Sequence, residues 1–175
     1  MERLVMLNEQ MEPNFHWVDR AYAHRYGIPH LAVHIWVARE DFKQVLIQKR
    51  SYEKDSYPGE WDISVAGHVT YGDTVHIAAL RELEEELGCF PNKARLACIG
   101  TYSHERKGTF HGTPWHDREL DYVYLYQAPN AFEPQIQEEE IEEVRWVTLE
   151  QLEEIPLCAS KKDITLLHQY LKMIK

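Results

Sequence analysis

Apolar positions recur along this chain with two periods, and the switches between them lay out a series of mixed elements. Residues 19–26 carry a short helical pattern that Gly27 and Pro29 stop. The β-branched and aromatic run 31–37, the polar turn 39–43 and the run 45–49 predict a hairpin. A loop over 51–59 ends in Pro58-Gly59, a short strand is expected over 63–65, and a Gly-bounded loop spans 67–73. A strong helix follows over 74–87, capped by Thr74 or Asp73 and closed by Gly88. Residues 96–102 and 119–126 have strand composition, separated by a loop holding Gly108, Gly112 and Pro114. A last strand is expected over 143–147, a short helix over 149–155 and a terminal helix over 163–174. On that helix Ile164, Leu167, Leu171 and Ile174 form one stripe for core packing, and Trp36, Trp61 and Trp146 are read as core residues.

With 175 residues, no internal repeat and no Gly/Ser linker, the series amounts to one domain. Its expected parts are an extension packed on the domain over 1–28, the main body over 29–160 and a C-terminal helix over 161–175. A hydrophobic share of 44% with 27% charged residues supplies a core and excludes disorder. The longest apolar stretch, 31–38, is broken by His34 and is shorter than the ~18 residues of a membrane span. The first twelve residues lack a basic start, so a cytosolic location is expected. The net charge of −10 repels nucleic acid and anionic membranes, and a small anion would need a divalent cation or a local Lys/Arg cluster to reverse the field. Cys89, Cys98 and Cys158 form no CxxC pair and are expected as buried reduced thiols.

The helix over 74–87 carries the chemistry. Leu80, Leu83 and Leu87 share one arc, while Glu82, Glu85 and Glu86 share another. Like charges at these spacings each cost a helix ~0.2–0.5 kcal/mol, a liability that a bound cation would remove. Carboxylate oxygens in this number suit Mg²⁺ or Mn²⁺, although for such a helix taken alone a solvated acidic face is the commoner case. The acidic run 138–143 is expected to be such a solvated segment leading into a strand.

The segment GHVTYGDTVHIAALRELEEELGC, residues 67–89, resembles the Nudix box, Gly-x5-Glu-x7-Arg-Glu-aliphatic-x-Glu-Glu-x-Gly-aliphatic. It departs from the pattern at Asp73, one methylene shorter than glutamate, and at Cys89. The resemblance implies an α/β (α+β) fold, a mixed β-sheet sandwiched between helices, that hydrolyses a nucleoside or other organic diphosphate. Glu82, Glu85 and Glu86 would hold Mg²⁺ (or Mn²⁺) together with the Ala66 carbonyl, Arg81 would orient the carboxylates, and Gly67, Asp73 and Gly88 would shape the loop and helix. Glu85 or Glu119 would take the proton of the attacking water. The implied partner is a small organic diphosphate, with no nucleic acid and no membrane; a homodimer is left open.

Outside the box, residues 16–122 are similar to the branch that includes isopentenyl diphosphate isomerase, a Nudix-fold enzyme that does not hydrolyse. That likeness implies a second metal position at His24, His30, His68, Asp117 and Glu119, and a diphosphate grip by Arg50 and Lys54. The isomerase also needs a cysteine before its Gly-His pair, where this chain has Ala66. Alanine can neither give nor take a proton, so hydrolysis is favoured over isomerase-like activity, and the retention of Glu82, Glu85 and Glu86 favours it over a nucleotide-sensing module that binds without turnover. Tyr57, Trp115 and Tyr122 are candidates for stacking on a base, and the loop 105–116 is expected to read the group attached to the diphosphate.

Overall fold

A computed structural model describes residues 2–174, so the outer ends of the first and last expected segments lie outside it. Nine strands and four helices follow in the order β1 (Arg3–Leu7), β2 (Pro13–Asp19), α1 (Arg20–Tyr26), β3 (His30–Arg39), β4 (Gln44–Arg50), β5 (Trp61–Asp62), β6 (Val65–His68), α2 (Val75–Leu87), β7 (Leu96–Phe110), β8 (Thr113–Ala128), β9 (Ile141–Thr148), α3 (Leu149–Glu154) and α4 (Lys161–Ile174). The strand β3 is the hub. Along its full length it pairs in parallel with β8, from His30↔Glu119 to Arg39↔Ala128. Its other edge is shared by β1 at Met6↔His30, β6 from Ala32↔His68 to Ile35↔Val65, and β4 at Ala38↔Val45. Being paired on both edges and covered on both faces, it is buried at nine successive positions, as a central strand should be.

Strand alternation assigns the two faces. Val33, Ile35 and Val37 of β3 and Tyr124 and Tyr126 of β8 join the core under Ala78, Ala79, Leu83 and Leu87 of α2. Trp36 and Ala38 of β3 and Val123 and Leu125 of β8 join the opposite core with Leu152 of α3 and Leu167 and Leu171 of α4. A mixed sheet between helices is therefore the observed architecture. At the other end of this second face the same alternation places His30 and His34 of β3 beside Asp117, Glu119 and Asp121 of β8, all buried polar groups. One sheet face is thus split between an apolar half under α4 and a polar half.

Helix ends follow their local chemistry. Asp19 caps α1 by accepting from the N–H groups of Ala21 and Tyr22, and Thr74, rather than Asp73, caps α2 through Ile77 N–H. Gly88 closes α2 at φ 59°, where a side chain would strain the left-handed turn. No helix among the described residues is long and apolar enough to cross a membrane.

Several expectations need correction. The N-terminal hairpin of β1 and β2 carries no clean alternation and was not expected as strand, yet β1 extends the sheet through β3. The loop over 105–116 is instead the distal arm of one long β7–β8 hairpin. Only His111 and Gly112 turn, both with positive φ, as a two-residue hairpin turn requires. Gly108 and Pro114 sit in paired strands because each lies near the free end of the ribbon. The strand expected over 63–65 resolves into β5 and β6 with Ile63 and Ser64 between them, and β6 takes in Gly67 and His68. Trp61 and Trp146 are half-buried at the edge of the cores, under Arg145 and Arg39, whereas Trp36 is fully buried. Cys89 is buried and Cys158 half-buried, but Cys98 is exposed.

On α4, Leu167 and Leu171 pack as the stripe requires, and Ile164 packs at its margin, but Ile174 is 42% exposed because the helix outruns the sheet. Leu167→Ala should therefore cost about 2–5 kcal/mol in urea unfolding, and Ile174→Ala less than about 0.5 kcal/mol.

Candidate active site

A cavity of about 850 Å³ opens over the polar half of the sheet, and residues from α1, β3, β6, α2, β7 and β8 line it. Its wall on one side is the acidic face of α2. Glu82 and Glu86 are buried, and the Glu85 side chain is 51% exposed, so this face points into a cleft and not into bulk solvent. Arg81 locks it in place. One guanidinium nitrogen donates to Glu82 at 2.8 Å and Glu85 at 2.9 Å, the other donates to the His68 carbonyl at 3.0 Å, and Nε lies 3.6 Å from Asp73. A planar five-donor fork is suited to tying a helix to the loop before it in this way. Gly67 is required for close approach, since a Cβ there would fall on the Glu82 carboxylate. Ala66, paired with His34 across the sheet, lines the same cavity.

The carboxylates are held there at a cost. Burial pushes the Glu86 carboxyl up to about 8, against the opposing pull of Lys54 at 3.8 Å and the Gln48 amide donating at 3.0 Å. Burial likewise raises Glu82, despite Arg81 beside it. A multivalent cation would offset both penalties.

The floor holds a second polar group. His24 from α1, His30 from β3, His68 from β6 and Glu119 from β8 bring one ligand atom each within 4.8 Å of one another. Glu119 lies 3.3 Å from His30 and 3.4 Å from His68, and Asp117 lies 3.5 Å from His30 and 3.7 Å from His24. The parallel register His30↔Glu119 accounts for this meeting. Although buried, His24 Nε2, His30 Nε2 and Asp117 Oδ1 have no hydrogen-bond partner within the chain. His30 Nδ1 is bound at 2.8 Å to the Ile28 carbonyl, which leaves Nε2 as the free acceptor turned toward the acids. Separations of 3.3–3.7 Å are long for hydrogen bonds but match the about 3.4 Å edge of a tetrahedral site with bonds of about 2.1 Å. Three imidazoles and two carboxylates with orphaned buried atoms fit a divalent cation.

The electrostatics of the group are divided: although burial opposes charge on His30, its contacts with Glu119 and Asp117 raise it above the ordinary imidazole range, so a cation there would replace a proton. Burial, together with the neighbouring His68 and His30, drives the His24 imidazole down to about 2, so it stays neutral and able to ligate. Burial opposes charge on Glu119, but contacts with His30 and His68 hold it well below the usual carboxylate range.

Arg50 and Lys54 both reach the cavity, yet each is engaged. Arg50 donates to Asp62 and to the Ser56 carbonyl, each at 3.0 Å, and Lys54 pairs with Glu86 and Glu140. Of the acidic run 138–143, residues 138–140 form a turn from which Glu139 and Glu140 line the cavity, and 141–143 open β9. Tyr57 and Trp115 line the cavity and pack with Phe110, but Tyr122 lies on the opposite sheet face against the α2 core and cannot stack on a ligand there.

Sequence reasoning missed His34, His104, Arg106 and Asp121. His104 and Arg106 line the cavity from β7, and His104 Nδ1 lies 2.7 Å from Asp121. His34 lies between Asp121 and Asp163, where Tyr102 also donates to Asp163 at 2.6 Å. The available signal was the alternation of residues 102, 104 and 106 with 117, 119 and 121, hidden by treating 105–116 as a loop.

Known proteins resemble this chain in sequence and fold. Residues 28–168 match the NUDIX domain model. The chain is 41% identical over 136 residues to Nudix hydrolase 3 of Arabidopsis thaliana, covering 75% of this chain but only 17% of that much longer protein. It is 33% identical over 135 residues to an isopentenyl-diphosphate Delta-isomerase of Rhodobacter capsulatus, covering 77% of this chain and 73% of the isomerase. The crystal structure of DR0079 from Deinococcus radiodurans superposes with a TM-score of 0.64 at 21% identity, covering 94% of this chain and 97% of that one, a likeness of fold. By its box, its sheet and these matches, the chain belongs to the Nudix family.

Proposed function

We propose that this chain hydrolyses the phosphoanhydride bond of a small organic diphosphate, using Mg²⁺ or Mn²⁺ held by Glu82, Glu85, Glu86 and the Ala66 carbonyl. The observation that carries it is the Arg81 fork, which aligns Glu82 and Glu85 beside buried Glu86 on the wall of a cavity that also contains Arg50 and Lys54. When bound, such a cation neutralises phosphate charge and acidifies water. The chain's own groups do the rest. Glu85, the most open of the three, accepts the proton of the attacking water as its oxygen bonds to phosphorus and the bond to the bridging oxygen breaks. Glu119 is the weaker base, because its charge is already held by His30 and His68. Lys54 exchanges its more exposed partner Glu140 for a phosphate oxygen while it stays beside Glu86. Arg50 keeps Asp62 and directs the remainder of its fork at the ligand.

His24, His30, His68, Asp117 and Glu119 would hold a further divalent cation beneath the diphosphate, where it adds positive charge to the floor. This cluster favours one alternative, isomerase-like chemistry, and Ala66 opposes it by removing a proton carrier from the strand beside His34.

With Mg²⁺ or Mn²⁺, a panel of nucleoside and other organic diphosphates should yield phosphate or monophosphate, and Glu85→Gln should lower kcat by ~10²–10⁴ with unchanged thermal unfolding. Full activity of that variant would remove Glu85 from the mechanism. Isopentenyl diphosphate incubated in deuterated water should gain no deuterium; incorporation would establish the isomerase reading. Nucleotide binding by calorimetry without any product would instead mark a sensing module.

The Glu86 shift sets a pH dependence. In EDTA, the folded protein keeps this proton up to about pH 8, whereas the unfolded chain releases it near 4.5. Between those values the folded state binds more protons, so this group's stabilisation is complete below 4.5 and is lost as pH rises to 8. Urea unfolding across that window should show the decline, and Glu86→Gln should flatten it.

A further inference from the structure

His104 has no part in the function proposed above, although it reaches the same two acids. Its Nδ1 is held at 2.7 Å by Asp121 Oδ2, and Asp121 is fully buried, so the ring orientation is set from behind. With Nδ1–H donating there, the Nε2 lone pair faces Asp117 Oδ2 at 3.6 Å and Glu119 Oε2 at 3.5 Å. These are not the oxygens that face the other histidines. Asp117 turns Oδ1 to His24 and His30, and Glu119 turns Oε1 to His30 and His68. Each carboxylate therefore offers one oxygen to either side, and His104 with Asp117 and Glu119 forms a second grouping whose ligand atoms lie within 4.8 Å of one another.

We infer that the floor of the cavity is a dinuclear centre. One divalent cation sits among His24, His30, His68 and the near oxygens of Asp117 and Glu119; a second is held by His104 Nε2 and their far oxygens. The two carboxylates bridge the positions. The mixed nitrogen and oxygen ligands suit Zn²⁺, Co²⁺ or Mn²⁺ better than Mg²⁺. A competing account makes His104 an imidazolium that neutralises its acidic neighbours with no ion present. Two observations weigh against it. The Nε2 contacts at 3.5 and 3.6 Å are too long for charge-assisted hydrogen bonds, which close to about 2.7–2.9 Å. Asp117 Oδ1, on a carboxylate that the two positions share, also remains without a partner while buried, which a self-neutralising cluster would not leave.

The inference rests on the first position proposed above, and a difference experiment separates the two. Metal-free protein is titrated with Co²⁺, following visible absorbance and EPR, in the wild type, His104→Asn and His30→Asn. Asparagine places an amide near each Nδ1, so the bonds to Asp121 and Ile28 are kept while Nε2 is lost, and thermal unfolding checks that each variant folds. Ions held by Glu82, Glu85 and Glu86 are common to all three proteins and drop out of the difference. The wild type should take one equivalent more than His104→Asn, and its EPR intensity per ion should fall as that equivalent enters, because bridged ions couple. Equal uptake by wild type and His104→Asn, with His30→Asn alone losing an equivalent, would overturn the dinuclear centre and leave the first position standing. Equal uptake by all three would overturn both. Should His104→Asn fail to fold, uncoupled spectra of the saturated wild type would suffice to overturn the inference.

Discussion

Buried negative charge is the constraint around which this molecule is organised. Glu82 and Glu86 on α2 and Asp117, Glu119 and Asp121 on β8 are all largely withdrawn from water on or beneath one cavity. Carboxylates in such places either bind protons or need cations, since burial without compensation costs several kcal/mol per charge. The chain uses several forms of compensation. Arg81 clamps the helix carboxylates, Gln48 and Lys54 reach Glu86, and histidines surround the β8 acids. Orphaned atoms such as His24 Nε2, His30 Nε2 and Asp117 Oδ1 mark where this compensation is incomplete, in a group whose donors would suit a divalent cation.

Rigid elements keep that arrangement in place. The parallel pairing of β3 with β8 sets His30 directly opposite Glu119, and a one-residue slip would turn every one of these side chains to the opposite face. The apolar half of the same sheet face is pinned by α4, where Asp163 accepts from Tyr102 and meets His34, so the core under the helix and the polar floor share a boundary. Packing and chemistry are therefore two ends of the same strands. The α2 helix is held equally firmly, with its leucines in one core and its glutamates on the cavity wall.

A chain of net charge −10 can hold a diphosphate only if the field is reversed locally. Arg50, Lys54, Arg81 and Arg106 all reach the cavity, but in the free protein most of their charge is spent on neighbouring acids. Metal ions at the glutamates would release part of that charge for the ligand. Such ions would couple the metal sites to substrate binding through charge balance.

Much of this was legible in the sequence. The box helix, its glycine stop, the order of most strands and the individual residues of the box all follow from local periodicity, capping and motif spacing, because each is determined within a few residues. The histidine group came into view only through a family resemblance, and His34, His104 and Asp121 not at all. Their meeting depends on β7, β8 and β3 lying side by side, a pairing between residues as far apart as His30 and Glu119 that no local pattern encodes. Tyr122 shows the same limit in reverse, since only the sheet decided that it faces away from the cavity. Local sequence specified which groups are available and on which elements; strand register, a property of distant segments, decided which of them share a face and can act together.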